Sequence, residues 1–246
     1  MDLFVYDNSP NASEEDHFQF HRFNITYVHD PLNAGVSKAY NSGAQFAEIS
    51  GKEWILLLDQ DTSFPEGFVY RYQEAAIKNP GIKLFCPILK TQFGQNMSPC
   101  LYLHKRGRWV KHLDPGIVNF NTSFSPVNSG MMINLAAFNK AGGYKESVRL
   151  DFADFQFIER FKRHFNSFFL LDLVCLQDFS GFEKKISVLS TRFKFFCEGA
   201  RNCDRNKFSD RSWYLLAVIR RLTGLIVKTR SIKFIRVFFS EYLFKK

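Results

Sequence analysis

The sequence predicts an α/β domain on a largely parallel sheet, followed by a basic helical tail. Three observations carry that expectation. Short apolar runs alternate with stretches of helical periodicity over most of the chain, the pattern of strands linked by crossover helices. With 246 residues and 46% hydrophobic composition, the chain has enough apolar surface for one sizeable core, which excludes a disordered or collagen-like chain. The net charge of +9 is unevenly placed: residues 192–246 hold 14 basic and 4 acidic residues, the rest 19 and 20.

Taken in order, Leu3–Tyr6 is a short strand ending at Asp7-Asn8-Ser9-Pro10, and Ile25–His29 a second ending at Asp30-Pro31. After the turn at Asn33-Ala34-Gly35, the residues Val36, Ala39, Tyr40, Gly43, Phe46 and Ala47 mark a helical stripe. Trp54–Leu58 is apolar without alternation and should be buried on both faces. Glu66–Asn79 reads as a helix stopped by Pro80-Gly81, and Lys83–Leu89 as the next strand. Residues 90–127, rich in Gly, Pro, Asn and Ser, read as long loops. Asn134 is placed to cap a helix over Leu135–Ala141, Asp154–Phe165 is a further helix, and Ser167–Cys175 a last buried strand.

The expected division is a body over residues 1–190 and a tail over 191–246. In the tail, Leu215, Val218, Ile219, Leu222, Leu225 and Ile226 follow helical spacing, and Ile232, Ile235, Phe239 and Tyr242 form a second stripe. Such stripes either pack on the body or lie against an anionic membrane surface, here through residues 211–246; periodicity does not separate the two. Nucleic acid is the weaker partner, because no recognised binding motif accompanies the charge. No apolar run approaches the roughly 20 residues of a spanning helix, and the N-terminus lacks the features of a signal peptide. The five cysteines are scattered and unpaired in sequence, which fits a reducing, cytoplasmic setting better than a disulfide scaffold.

In an open α/β sheet ligands bind beyond the carboxyl ends of the strands, where Asp7, Asn8, Ser9, Asp30, Asp59 and Asp61 collect. Asp59 and Asp61 are either turn residues or hard oxygen ligands for Mg²⁺ or Mn²⁺ bound through substrate phosphates. The segments Asp7-Asn8-Ser9, Asn33-Ala34-Gly35-Val36-Ser37, Ala39-Tyr40-Asn41 and Leu57-Leu58-Asp59-Gln60-Asp61-Thr62, in this order and spacing, resemble the family 2 inverting glycosyltransferases. The Leu-Asp-Gln-Asp form and Asn128-Ser129-Gly130 resemble the rhamnosyltransferase-like branch that builds bacterial surface polysaccharides. The resemblance covers about residues 3–181 and is more specific for family than for sugar.

The resemblance implies a GT-A fold, a mixed, mostly parallel sheet flanked by helices, and a nucleotide-diphospho-sugar donor. It implies that Asp7 contacts the donor's base or ribose and that Asn33, Gly35 and Asn41 shape the nucleotide pocket. Asp59 would lie near the ribose and diphosphate, Asp61 would bind the metal, and Asn128, Ser129 and Gly130 would flank the donor sugar. Asp154 would be the catalytic base for attack by a saccharide or lipid-linked acceptor, with inversion and on the inner face of the cytoplasmic membrane. Local structure offers other roles: Asp7 suits an Asx turn, Asp154 suits a helix cap, and Asp151 is a rival base.

Two departures from the family pattern stand out. Relatives normally carry a further strand and helix ahead of the Asp-Asn-Ser segment, so the resemblance implies a missing inner strand, an exposed sheet edge and an incomplete base pocket. Many relatives also have a histidine near Gln177-Asp178-Phe179-Ser180-Gly181; here Asp178, or Gln177, would complete the metal's oxygen ligands. The expected activity is metal-dependent sugar transfer. Its rival is a non-catalytic, membrane-associated remnant of the same fold.

Overall fold

The computed structural model describes residues 2–12, 23–178 and 185–245. Strands β1 (Asp2–Asp7) and β2 (Asn24–His29) pair in parallel, with Leu3 opposite Ile25 and Asp7 opposite His29. Helix α1 (Val36–Ile49) follows, then β3 (Trp54–Leu56), β4 (Thr62–Ser63), α2 (Phe68–Lys78) and β5 (Leu84–Thr91). Next come β6 (Asn96–Ser98), β7 (Cys100–Leu103), β8 (Arg106–Arg108), β9 (Gly116–Asn119), β10 (Phe124–Ser125) and β11 (Met132–Asn134). The chain continues with α3 (Leu135–Lys140), α4 (Ala153–Phe161), β12 (Ser167–Gln177), α5 (Ile186–Asn202), α6 (Phe208–Thr229) and α7 (Lys233–Val237), and closes on a π-helical turn at Phe238–Leu243.

The main sheet runs β3-β11-β5-β12-β4, with β6 added to β5 and β9 to β12. Its central pair, β5 and β12, is parallel, and β11 is antiparallel to both β3 and β5, so the sheet is mixed and flanked by helices. Alternation along β5 puts Leu84 and Cys86 in one buried cluster and Phe85 and Leu89 in another, on opposite faces. Both faces are therefore covered, as an apolar central strand requires.

Two expectations need correcting. The run Trp54–Leu58 is not buried throughout: the strand ends at Leu56, its residues are half-buried, and Leu58 is 38% exposed. The reason is position, since β3 ends the strand path and, among the described residues, pairs only with β11. Residues 90–127 are not simply loops. They contain β6 to β10, of which β10-β7-β8 form a separate three-stranded sheet. Strands of two to four residues lack the length for a readable alternation.

The β1–β2 pair forms its own two-stranded sheet, without hydrogen bonds to β3 among the described residues. Helix α1 spans both sheets: the Phe4 and Ile55 side chains both lie against Gly43. The tail packs on the body. Phe193, Cys197, Tyr214, Val218, Leu222, Leu225 and Phe234 share one buried cluster with Leu84, Phe152 and Phe157. All five cysteines are buried and free. Among the described residues, no helix is long and apolar enough to cross a membrane.

Candidate active site

The site lies where β3 gives way to the loop at Leu57–Asp61. Asp59 is partly buried and accepts a short hydrogen bond from the Tyr40 hydroxyl on α1. Burial raises its carboxyl above the usual range, the Tyr40 bond opposes that, and the charge of Asp61 adds to it. Tyr40 packs on Tyr144 at 5.1 Å between ring centres, and the Tyr144 hydroxyl donates to Asn128 Oδ1 at 2.7 Å. Two tyrosines thus join the Asp59 loop to Asn128.

Asp154 stands in the first turn of α4, where its Oδ1 accepts from the Phe155 amide at 2.7 Å. Burial pushes its carboxyl up to about 7, the Phe155 hydrogen bond opposes this, and the charges of Asp151 and Asp59 push further upward. The charges of Asp59 and Asp154 both raise the hydroxyls of Tyr40 and Tyr144, so the two carboxyls lie near the same tyrosine pair. A carboxyl titrating near neutrality beside an ionisable mate suits proton transfer.

Asp61 is exposed at the mouth. Its Oδ1 receives Gln177 Nε2 at 3.2 Å, and its carbonyl receives the Asp178 amide at 2.8 Å. The register of β12 with β4 makes this meeting, since Gln177 lies opposite Thr62. Gln177 Oε1 is buried without a hydrogen-bond partner among the described residues. Among those residues no group of three His, Cys, Asp or Glu side chains is gathered closely enough to hold a metal. The local donors nevertheless suit a hard cation: two carboxylates that repel each other, and an orphaned amide oxygen beside one of them. Residues 179–181 of the expected histidine-bearing stretch lie outside the described residues.

The remaining expected residues divide into two groups. Ser129 Oγ donates to Thr62 Oγ1 at 2.8 Å, and the Gly130 amide donates to the Leu57 carbonyl at 2.8 Å, so Asn128, Ser129 and Gly130 border the Asp59 loop. Asp7 and Asn33 lie at the rim of the β1–β2 sheet. Asp7 accepts from Tyr27 at 2.6 Å and from the Ser9 amide at 2.8 Å, the geometry of an Asx turn, while the Asn33 amide donates to the Asp30 carbonyl at 3.1 Å. Asn41 holds Tyr144 from both sides, Nδ2 donating to its carbonyl at 2.9 Å and Oδ1 accepting from its amide at 2.8 Å. Gly35 adopts φ 93°, and a Cβ there would come within 2.4 Å of the Arg149 carbonyl. Sequence reasoning missed Tyr40 and Tyr144 as site residues. Tyr40 stands in the apolar stripe and in the Ala39-Tyr40-Asn41 segment without a role of its own, and nothing local marks Tyr144.

With this geometry in hand, the fold is that of solved glycosyltransferases. GalNAc-T7, whose crystal structure holds UDP, GalNAc and Mn²⁺, superposes with a TM-score of 0.56 at 10% identity, covering 97% of this chain and 50% of that one. TarS residues 1–349 from S. aureus superposes with a TM-score of 0.51 at 14% identity, covering 97% of this chain and 62% of that one. The chain thus spans between half and two thirds of the length of these structures. The family described as Glycosyl transferase family 2 matches residues 3–101, a segment containing β1, α1, Asp59 and Asp61. No curated protein sequence matches the chain.

Proposed function

We propose that this chain transfers a sugar from a nucleotide-diphospho-sugar to a saccharide or lipid-linked acceptor with inversion, in the assembly of a bacterial surface polysaccharide, with rhamnose as a candidate sugar. One observation carries the reading: Asp59 and Asp154 both lie near the packed pair Tyr40 and Tyr144, with Asp61 exposed two residues from Asp59. The family 2 match over residues 3–101 supports it.

In this mechanism Asp154 takes the proton of the acceptor hydroxyl on a carboxylate oxygen as that hydroxyl attacks the anomeric carbon. The bond from that carbon to the diphosphate breaks on the opposite side, so a single displacement inverts the centre. Asp59 and Asp61, with Asp178 or Gln177 as a further oxygen donor, would hold Mn²⁺ or Mg²⁺, which supplies charge neutralisation for the departing diphosphate. Tyr40 fixes the Asp59 carboxylate. Asn128, Ser129 and Gly130 flank the donor sugar, while Asp7, Asn33, Gly35 and Asn41 border the nucleotide. Turnover of a panel of nucleotide sugars with Mn²⁺ tests this: wild type should turn over at least one donor, while Asp61→Ala and Asp154→Asn should each lose at least 100-fold. Turnover surviving both changes would contradict the assignment.

The enzyme would work at the inner face of the cytoplasmic membrane, with the tail on the anionic surface. Ile232 and Phe244 are 74% and 73% exposed, and Lys233 and Arg236 are exposed nearby, so apolar and basic groups are offered outward together. Removal of residues 211–246 would strip buried Tyr214, Val218 and Phe234 as well. The cleaner test is Ile232→Glu with Phe244→Glu, which should abolish cosedimentation with anionic vesicles while leaving the melting temperature unchanged. A second reading, a non-catalytic remnant, is favoured by the separation of the β1–β2 pair from the main sheet. It predicts no calorimetric binding of a nucleoside diphosphate with Mn²⁺.

A further inference from the structure

The segment from Gly143 to Phe152, which leads into Asp154, is gripped from two sides. On the α1 side, the Val36 amide donates to the Arg149 carbonyl at 2.9 Å and Ser37 Oγ to the Val148 carbonyl at 2.5 Å, beyond the paired Asn41–Tyr144 bonds. On the tail side, Arg149 meets Glu198 through two hydrogen bonds of 3.1 and 2.6 Å, and Asn202 Nδ2 donates to the Ser147 carbonyl at 2.5 Å. Just past α5, Asp204 accepts from Lys145 Nζ at 2.8 Å. One face of α5 and its exit therefore read the segment along its length.

The segment ends in an unfavourable conformation. Phe152 has φ +71°, a left-handed setting that a bulky side chain rarely adopts. Such a residue persists only where its surroundings over-determine it. Here its ring is buried against Phe196 of α5 at 4.7 Å and edge-on to Tyr214 of α6 at 5.5 Å. Phe152 is also the residue from which α4 starts, two positions before Asp154. Behind it, α5 comes so close that a Cβ on Gly199 would lie 2.5 Å from the Asp151 carbonyl and 3.3 Å from the Phe152 ring.

We propose that the tail is a positioning element for the transfer reaction: α5 and α6 hold Phe152 in its left-handed turn and so aim Asp154, with Gly199 and Phe152 as positioning residues. This rests on Asp154 being the base. The basic tail, whatever surface its outer side meets, is then the back wall of the acceptor side of the site. Small displacements of a catalytic group carry large penalties in rate, about 100-fold for roughly 1 Å.

The test uses the full chain with Gly199→Ala, Phe152→Gly and Phe152→Tyr, and with Gly224→Ala as control, since nothing lies within 4 Å of a Cβ at Gly224. Steady-state kinetics with Mn²⁺ and the turned-over donor are paired with amide hydrogen exchange. Gly199→Ala and Phe152→Gly should lower kcat by about 10- to 100-fold, leave donor KM within about two-fold, and speed exchange over residues 143–154 but not in β5 or β12. Phe152→Tyr, which keeps a ring, should recover most of the kcat lost in Phe152→Gly, and Gly224→Ala should match wild type. Folded Gly199→Ala and Phe152→Gly proteins with wild-type kcat, or with losses confined to KM, would overturn the proposal. If wild type transfers no sugar, the functional reading fails by itself and exchange alone decides: unchanged exchange over 143–154 in Gly199→Ala would overturn the positioning role.

Discussion

At the scale of single residues, Asp154 makes the sharpest claim. Its carboxyl, ordinarily near 3.8, is held at about 7, chiefly by burial. As a base it must be ionised, so kcat should rise with pH through a limb centred near 7 and level off above. The same shift has a stability consequence. Between about 4 and 7 the folded state holds a proton that the unfolded chain has released, so stability falls as pH rises through that window. Asp154→Asn should therefore be the more stable protein at pH 8, by on the order of 2 kcal/mol, and should lose that advantage near pH 4. Thermal melts of both proteins at the two pH values check the sign. An equal or lower melting temperature for the variant at pH 8 would mean that the ionised carboxyl carries no burial penalty. The family resemblance singles out Asp154, and its place at a helix start argues for a structural role instead; its environment was not legible. The groups whose charges it interacts with, Asp59, Tyr40 and Tyr144, come from segments 10 to 114 residues distant in sequence.

At the scale of elements, legibility followed length and periodicity. The α1 stripe, the β5 run and the Asn134 cap all stand where pattern puts them; Asn134 Oδ1 accepts from the Ala137 amide at 3.2 Å. Asn134→Ala should cost about 1 kcal/mol and lower the melting temperature by about 2–4 °C without touching activity, because the Asn134 side chain bonds only Ala137 and Glu53 among the described residues, neither of them a site residue. The segment over residues 90–127 was illegible because its strands are too short for alternation to register, and two of them, β6 and β9, pair with strands outside it. The partial exposure of β3 was hidden for a related reason: an apolar run does not say whether a neighbour pairs on both edges.

At the scale of the whole molecule, charge divided the chain into body and tail, but burial joins them. Phe193, Cys197, Tyr214, Val218 and Phe234 are each 1% exposed or less, and all lie in the cluster that contains Phe152 and Phe157. A chain ending at residue 190 should therefore fail to fold cooperatively, visible as loss of a sharp thermal transition; a two-state melt at the native temperature would show the tail to be dispensable. Periodicity identified the stripe of α6 without saying what it meets: Val218, Leu222 and Leu225 are buried, whereas Ile219 is 38% exposed. The account as a whole depends on Asp59 and Asp61 forming, with a divalent cation, a seat for a diphosphate. Calorimetric titration of UDP in the presence of Mn²⁺ tests that most directly. The account predicts saturable binding by the wild-type chain that disappears when Mn²⁺ is omitted and in Asp61→Ala; binding of equal strength in all three would contradict it.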